Sequence, residues 1–109
     1  MAPAEFLGTG RFRGCLYDLG EFPGVILSAA DTGTVEVEIF RLLDPDTAWP
    51  RLDHYEDCHA EDPHAGLFQR AVLQVERASG VSIAAWVYLY NKPVNESRRV
   101  WSGNWVAPR

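Results

Sequence analysis

Two alternating runs, separated by only Ser79-Gly80, constrain this chain more than any other feature. From Leu67 to Ala78, residues Leu67, Gln69, Ala71, Leu73 and Val75 interleave with Phe68, Arg70, Val72 and Gln74. A period of two is the signature of a strand, because successive side chains leave opposite faces of a sheet. Ser79-Gly80 has room for a tight turn and nothing else, so Val81–Tyr90 returns as an antiparallel partner. Val81, Ile83, Ala85, Val87 and Leu89 share one face of that second run, and Ala84, Trp86, Tyr88 and Tyr90 share the other. With apolar residues on both faces, Val81–Tyr90 is expected to be a central strand.

The remaining segments extend the pattern. Phe6 to Leu19 reads as extended, with Phe12, Gly14 and Leu16 opposite Arg11, Arg13, Cys15 and Tyr17. Gly20-Glu21-Phe22-Pro23-Gly24 is a turn, since Pro sets φ and the glycines relax it. Val25-Ile26-Leu27 is a short strand, and Asp31-Thr32-Gly33 turns the chain again. Val35, Val37 and Ile39 then alternate with Glu36, Glu38 and Phe40. The period changes after Asp44-Pro45-Asp46, whose acidic residues suit the positive end of a helix dipole. Trp49, Leu52 and Tyr55 recur at threes, which predicts a short helix over 46–56 that Pro50 limits or kinks. Residues 57–66 form a loop, Asn91 to Glu96 a polar turn, and Trp101 and Trp105 end the chain on residues that need a surface to cover. Together these make an α+β domain over residues 1–109, a small and mostly antiparallel β-barrel with few helices.

Composition narrows the function. The chain has 109 residues, of which 47% are hydrophobic and 23% charged, ordinary values for a globular protein. No apolar run approaches the roughly 18 residues needed to span a bilayer, and Met1–Phe6 lacks the features of a signal peptide, so a cytoplasmic protein without a membrane role is expected. The net charge of −5 argues against nucleic acid as a partner. Cys15 and Cys58 are too few for a disulfide framework and read as reduced thiols.

Chemistry-bearing residues concentrate in Asp53-His54-Tyr55-Glu56-Asp57-Cys58-His59, followed by Glu61, Asp62 and His64. His54 and Cys58 stand at i, i+4, the spacing of two metal ligands on one helix face, but no second pair of fixed spacing accompanies them. No metal and no cofactor are therefore expected. Glu56 reads either as a general base at a helix end or as a solvated surface carboxylate. Arg70 reads as a partner of Glu38 or Glu56, or as an ordinary strand residue, and Glu38 is equally open.

Five segments in order carry a resemblance. Leu16-Tyr17-Asp18-Leu19-Gly20-Glu21-Phe22-Pro23-Gly24 resembles the "LYDLGxYPG" stretch of the γ-glutamylcyclotransferase-like (AIG2-like) family. Val35-Glu36-Val37-Glu38-Ile39-Phe40 is similar to its "VxGExY" strand, and Leu52-Asp53-His54-Tyr55-Glu56 with Phe68-Gln69-Arg70 resembles its "LDxYE…YxR" pair. Ala85-Trp86-Val87-Tyr88-Leu89-Tyr90-Asn91 and Ser102-Gly103-Asn104-Trp105 resemble "AWVYxYN" and "SGDW". The resemblance implies a small barrel and a reaction in which the α-amino group of a γ-glutamyl amine or amino acid attacks its own γ-carbonyl. That step releases 5-oxoproline and a free amine. It implies Glu56 as general base and acid. Because a buried carboxylate is kept near opposite charge or hydrogen-bond donors, Glu56, Arg70 and Tyr88 or Tyr90 are expected around one concavity, with Glu38 close to Arg70.

The chain also departs from the family pattern. It shows no "YGxL" segment, whose backbone amides would cradle the substrate carboxylate and the oxyanion. Val37 stands for the Gly of "VxGE", Phe68 for the Tyr of "YxR", and Asn104 for the Asp of "SGDW". A non-catalytic binding or assembly module is therefore the alternative to an enzyme. A shortened barrel leaves a strand edge uncovered, and a homo-oligomer, at least a dimer, is expected to cover it.

Overall fold

The structure is a computed structural model and describes residues 4–27, 33–59 and 61–105. Strand β1 (Ala4–Arg13) breaks at Gly14 and resumes as β2 (Cys15–Asp18), which a turn connects to β3 (Pro23–Ile26). Then come β4 (Thr34–Leu42), helix α1 (Pro45–Tyr55), β5 (Phe68–Arg77), β6 (Ser82–Tyr90) and a 3-10 turn at Glu96–Arg98. The strands form a four-stranded antiparallel sheet in the order β4-β1-β5-β6, with β2 and β3 as a separate antiparallel pair. The fold is α+β and mostly antiparallel. Of the expected turn at 31–33, Asp31 and Thr32 lie outside the described residues.

The β5–β6 hairpin has the expected register, from Phe68 opposite Tyr90 to Glu76 opposite Ser82. Its place in the sheet differs from expectation. β6 is a terminal strand and β1 takes a central place among the described residues. Alternation of apolar residues on both faces suggested double-sided burial, yet only the Ile83–Leu89 face turns to the core, and Trp86 on the other face is 53% exposed. Nor does the sheet close into a barrel among the described residues, since β4 and β6 are its two ends.

The core forms where the inner faces meet. Phe12, Leu16, Val35, Ile39 and Val75 are buried together, and Leu7, Ile83, Ala85 and Val87 pack against them. Gly14 interrupts the alternation, so Cys15, Leu16 and Tyr17 are all buried in succession. Tyr17 keeps its hydroxyl satisfied by donating to Glu96 Oε1 at 2.6 Å, and that bond with burial pushes its pKa up to about 12. β1 meets β5 at Gly10, where a Cβ would lie 2.8 Å from the Glu76 carbonyl oxygen and 2.8 Å from Ile39 Cδ1. Only a residue without a side chain lets the two strands approach there. No helix among the described residues is long and apolar enough to cross a membrane.

Candidate functional site

Helix α1 starts after Asp44, whose carbonyl accepts the first intrahelical bond from Ala48 N–H at 2.9 Å. Pro45 occupies the first turn, where its missing N–H costs nothing. The helix runs on through Pro50 to Tyr55, so that proline does not end it. Trp49 and Asp53 stand four residues apart and so share a face. That face turns to the outer side of the hairpin, where Arg70 and Tyr88 are directly paired across strands β5 and β6.

Five side chains interlock at this junction. The Arg70 guanidinium lies 4.1 Å from the Trp49 ring centre and 5.1 Å from that of Trp86. Trp49 meets Trp86 edge-on at 6.0 Å and Tyr88 at 6.5 Å. Asp53 joins the set through both carboxylate oxygens. Arg70 Nη2 donates to Oδ2 at 3.0 Å and Tyr88 Oη donates to Oδ1 at 2.7 Å. Arg70 Nε is also 2.7 Å from Oδ1, an ion-pair contact whose angle is too poor for a hydrogen bond. The Arg70 and Asp53 side chains are only 19% and 13% exposed, so the charges are held in a medium less polar than water. Burial and then the bond to Asp53 push the Tyr88 pKa well above its ordinary value.

Beyond Asp53 the helix closes at Glu56, whose N–H donates to Leu52 O at 2.9 Å. The Glu56 carboxyl is partly buried and has neither an ion-pair nor a hydrogen-bond partner among the described residues. Burial raises its pKa above the ordinary carboxylate value. Asp57 then adopts φ +53°, in the left-handed region that turns the chain off the helix. Its oxygens accept from Leu67 N–H at 3.0 Å and meet His59 Nε2 at 2.9 Å. The bond to His59, followed by that from Leu67, lowers the Asp57 pKa, and Asp57 in turn raises that of His59. Two adjacent carboxylates are thus driven in opposite directions by their surroundings.

Two cavities flank the junction. One of about 470 Å³ lies under the end of α1 and is lined by Trp49, Asp53, His54, Asp57, Cys58 and Arg70 among others. The second, of about 560 Å³, lies between β4 and β6 and is lined by Glu38, Trp49 and Trp86 among others. The expected site residues are therefore divided. Arg70 and Tyr88 come together through Asp53, while Glu38 lines the second cavity and forms no ion pair with Arg70 among the described residues. Tyr90 meets Phe68 in a tilted ring contact at 5.5 Å, on the side of β3. Glu56 sits one helical turn beyond Asp53 but lines neither cavity. Sequence reasoning assigned no role to Asp53 or Trp49. Their four-residue spacing, opposite a strand pair carrying Arg and Tyr, was the available signal. No group of three His, Cys, Asp or Glu side chains among the described residues is placed to hold a metal ion.

Comparison with known proteins adds the family. The family model "Gamma-glutamyl cyclotransferase, AIG2-like" matches residues 1–107. The chain is 30% identical over 107 residues to the gamma-glutamylcyclotransferase family protein YtfP of Escherichia coli K12, spanning 97% of this chain and 80% of that one. It is 32% identical over 91 residues to the corresponding Citrobacter rodentium protein, spanning 84% of this chain and 66% of that one. The crystal structure of an uncharacterized protein from Pyrococcus horikoshii superposes with a TM-score of 0.58 at 20% identity, over 93% of this chain and 70% of that one, a likeness of fold alone. The chain belongs to the gamma-glutamyl cyclotransferase, AIG2-like family.

Proposed function

We propose that this protein cyclises a small γ-glutamyl amine or amino acid to 5-oxoproline, with Glu56 as the proton carrier. The reaction asks for a ligand folded so that its α-amino nitrogen faces its own γ-carbonyl carbon. Glu56 takes one proton from the ammonium, the nitrogen attacks the carbon and gives its second surplus proton to water, and the proton held by Glu56 passes to the departing amine as its C–N bond breaks. A carboxylate suits both duties when its proton affinity is raised toward neutrality. The observation that carries this reading is the state of Glu56: partly buried, without a charge partner among the described residues, and with a raised pKa. Arg70 adds support, since its guanidinium lines the cavity under α1 and is suited to the ligand's α-carboxylate. Asp53 and Tyr88 hold that guanidinium in place. The test is release of 5-oxoproline from γ-glutamyl amines and amino acids. Product from the native protein that disappears in Glu56→Gln supports the reading, and equal product from both overturns it.

A second reading, a binding module without turnover, is favoured by one feature. Neither cavity is lined by Glu56. Under this reading a γ-glutamyl compound binds against Arg70 with no 5-oxoproline formed, and calorimetry beside the activity assay separates the two.

A further inference from the structure

The Glu56 carboxyl has no ion-pair or hydrogen-bond partner among the described residues, so its place is set by the residues beside it. Before it stands Asp53, tied to Arg70 and Tyr88. After it the chain leaves α1 through a two-bond cap, in which Asp57 N–H donates to His54 O at 3.2 Å and Cys58 N–H to Asp53 O at 2.8 Å. Such a cap needs a left-handed residue just beyond the helix, and Asp57 supplies it at φ +53°. Glycine is the usual occupant of that place, because it has no Cβ to clash. Asp57 is the one non-glycine residue with positive φ among the described residues.

Strain of this kind persists where the surroundings hold it. Here they do so through the side chain. Asp57 Oδ2 accepts from Leu67 N–H at 3.0 Å, and Oδ1 meets His59 Nε2 at 2.9 Å. The Asp57 carbonyl accepts from Phe68 N–H at 3.5 Å, and a Cβ on Gly66 would lie 1.8 Å from that oxygen. Leu67 is held in turn, since its carbonyl accepts from Asn91 N–H at 2.8 Å. Asn91 Nδ2 donates to Pro63 O at 2.7 Å and to Gly66 O at 3.0 Å. The exit of α1 is thereby pinned to the start of β5 and the end of β6, the two strands that carry Arg70 and Tyr88. Glycine would make the same turn and neither of the side-chain contacts.

We propose that Asp57 is a positioning residue, whose carboxylate grips Leu67 N–H and so fixes Glu56 relative to the Arg70 guanidinium. Its consequence for turnover rests on the reading of Glu56 as the proton carrier. Asp57 itself touches no reacting atom; it limits where the adjacent Glu56 backbone can go. A cap that served the helix alone would be better made by glycine. Comfort of the turn and placement of Glu56 therefore part at this one residue.

The experiment compares Asp57→Gly and Asp57→Asn with the native chain by backbone amide NMR relaxation and by 5-oxoproline release from γ-glutamylalanine and γ-glutamylethylamide. Asp57→Gly relieves the strain and loses the grip, whereas Asp57→Asn tolerates the left-handed region and keeps an oxygen for Leu67 N–H. The order parameter at Glu56 is expected to be about 0.85 in the native chain and in Asp57→Asn, and to fall below about 0.6 in Asp57→Gly. In turnover, kcat is expected to drop about tenfold in Asp57→Gly with KM within about twofold, and to return to within about threefold in Asp57→Asn. Native order at Glu56 in the glycine variant overturns the proposal, and so does a raised KM at unchanged kcat. An asparagine variant as impaired as the glycine one also overturns it, by placing the effect in the charge. On the native chain the Leu67 amide is expected to exchange about a hundredfold more slowly than in an unfolded peptide. Free exchange there overturns the proposal even if the glycine variant fails to fold. A native chain that releases no 5-oxoproline sinks the reading of Glu56 as carrier, and the order parameters still decide whether Asp57 positions it.

Discussion

Tyr88 Oη donates to Asp53 Oδ1 at 2.7 Å, and through this bond the last turn of α1 is fixed to the outer face of β6. The same carboxylate holds Arg70 on β5, so one residue of the helix bridges a directly opposed strand pair. Position and charge are set together: Asp53 locates the helix end that bears Glu56, and it balances a cation stacked on two indoles.

Replacing Asp53 by Ala is accordingly expected to be costly. It removes two hydrogen bonds and strands a guanidinium that is only 19% exposed. Bonds to charged groups contribute about 1.5–3 kcal/mol, and part of the desolvation is relieved at a partly open site. A loss of about 2–3 kcal/mol is expected, read as a lower urea midpoint at unchanged slope. A change within 0.5 kcal/mol would show that the cluster is ornamental to stability.

Glu56 gives a stability change of defined sign. Its folded pKa is raised by burial, so the folded state binds more protons than the unfolded one across the interval between the two pKa values. Stability contributed by its protonated form is full below the ordinary carboxylate value and is lost as pH rises through the raised one. Glu56→Gln removes that dependence. The variant is expected to gain on the native protein as pH rises from 4 to 7 in denaturant titrations. A constant difference over this range would contradict the partial burial of the carboxyl.

Tyr17 and Tyr88 predict the alkaline limb. Hydrogen bonding to Glu96 and burial raise Tyr17 to about 12, and burial with the bond to Asp53 raises Tyr88 further. Both favour the protonated phenol in the folded state, so stability falls as pH climbs above 10. In an ultraviolet titration the phenolate signal is expected to keep a component that appears only with alkaline unfolding. Tyr17→Phe and Tyr88→Phe should each remove part of it.

Gly10→Ala tests the β1–β5 crossing. The added carbon meets a carbonyl oxygen at 2.8 Å, and backbone cannot swing aside as a flexible side chain would. Overpacking of this kind typically costs about 1–3 kcal/mol. A melting point within a degree of the native protein would mean that the strands separate there freely.

What the sequence disclosed, and what it hid, follows from range. The hairpin of Leu67–Ala78 and Val81–Tyr90 was legible because its alternation and its turn are local. The helix was legible within a residue at each end, because Asp44-Pro45 and the spacing of Trp49, Leu52 and Tyr55 are local too. Whether β6 lies at the centre or at an end depends on which strand reaches its far side, and no period within Val81–Tyr90 encodes that. Trp86 made the strand look covered on both faces, whereas Trp49 meets its ring and leaves the rest open. In the sequence, Arg70 reads either as the partner of a carboxylate or as an ordinary strand residue. That Asp53 supplies the carboxylate, not Glu38 or Glu56, depends on how α1 lies across β5.

Trp49 lines both cavities, which makes one indole the partition between two compartments of different character. On one side are carboxylates, imidazoles and a thiol; on the other lie aliphatic side chains and unpaired strand edges. The ring is clasped by Arg70 and braced by Trp86 and Tyr88, so it stands as a fixed wall between them. Trimming it to alanine would remove the ring that lines both cavities and let the polar one open into the more apolar one. A small protein that keeps two such environments a ring's width apart has room for two ligands of unlike chemistry, each blind to the other while that wall holds.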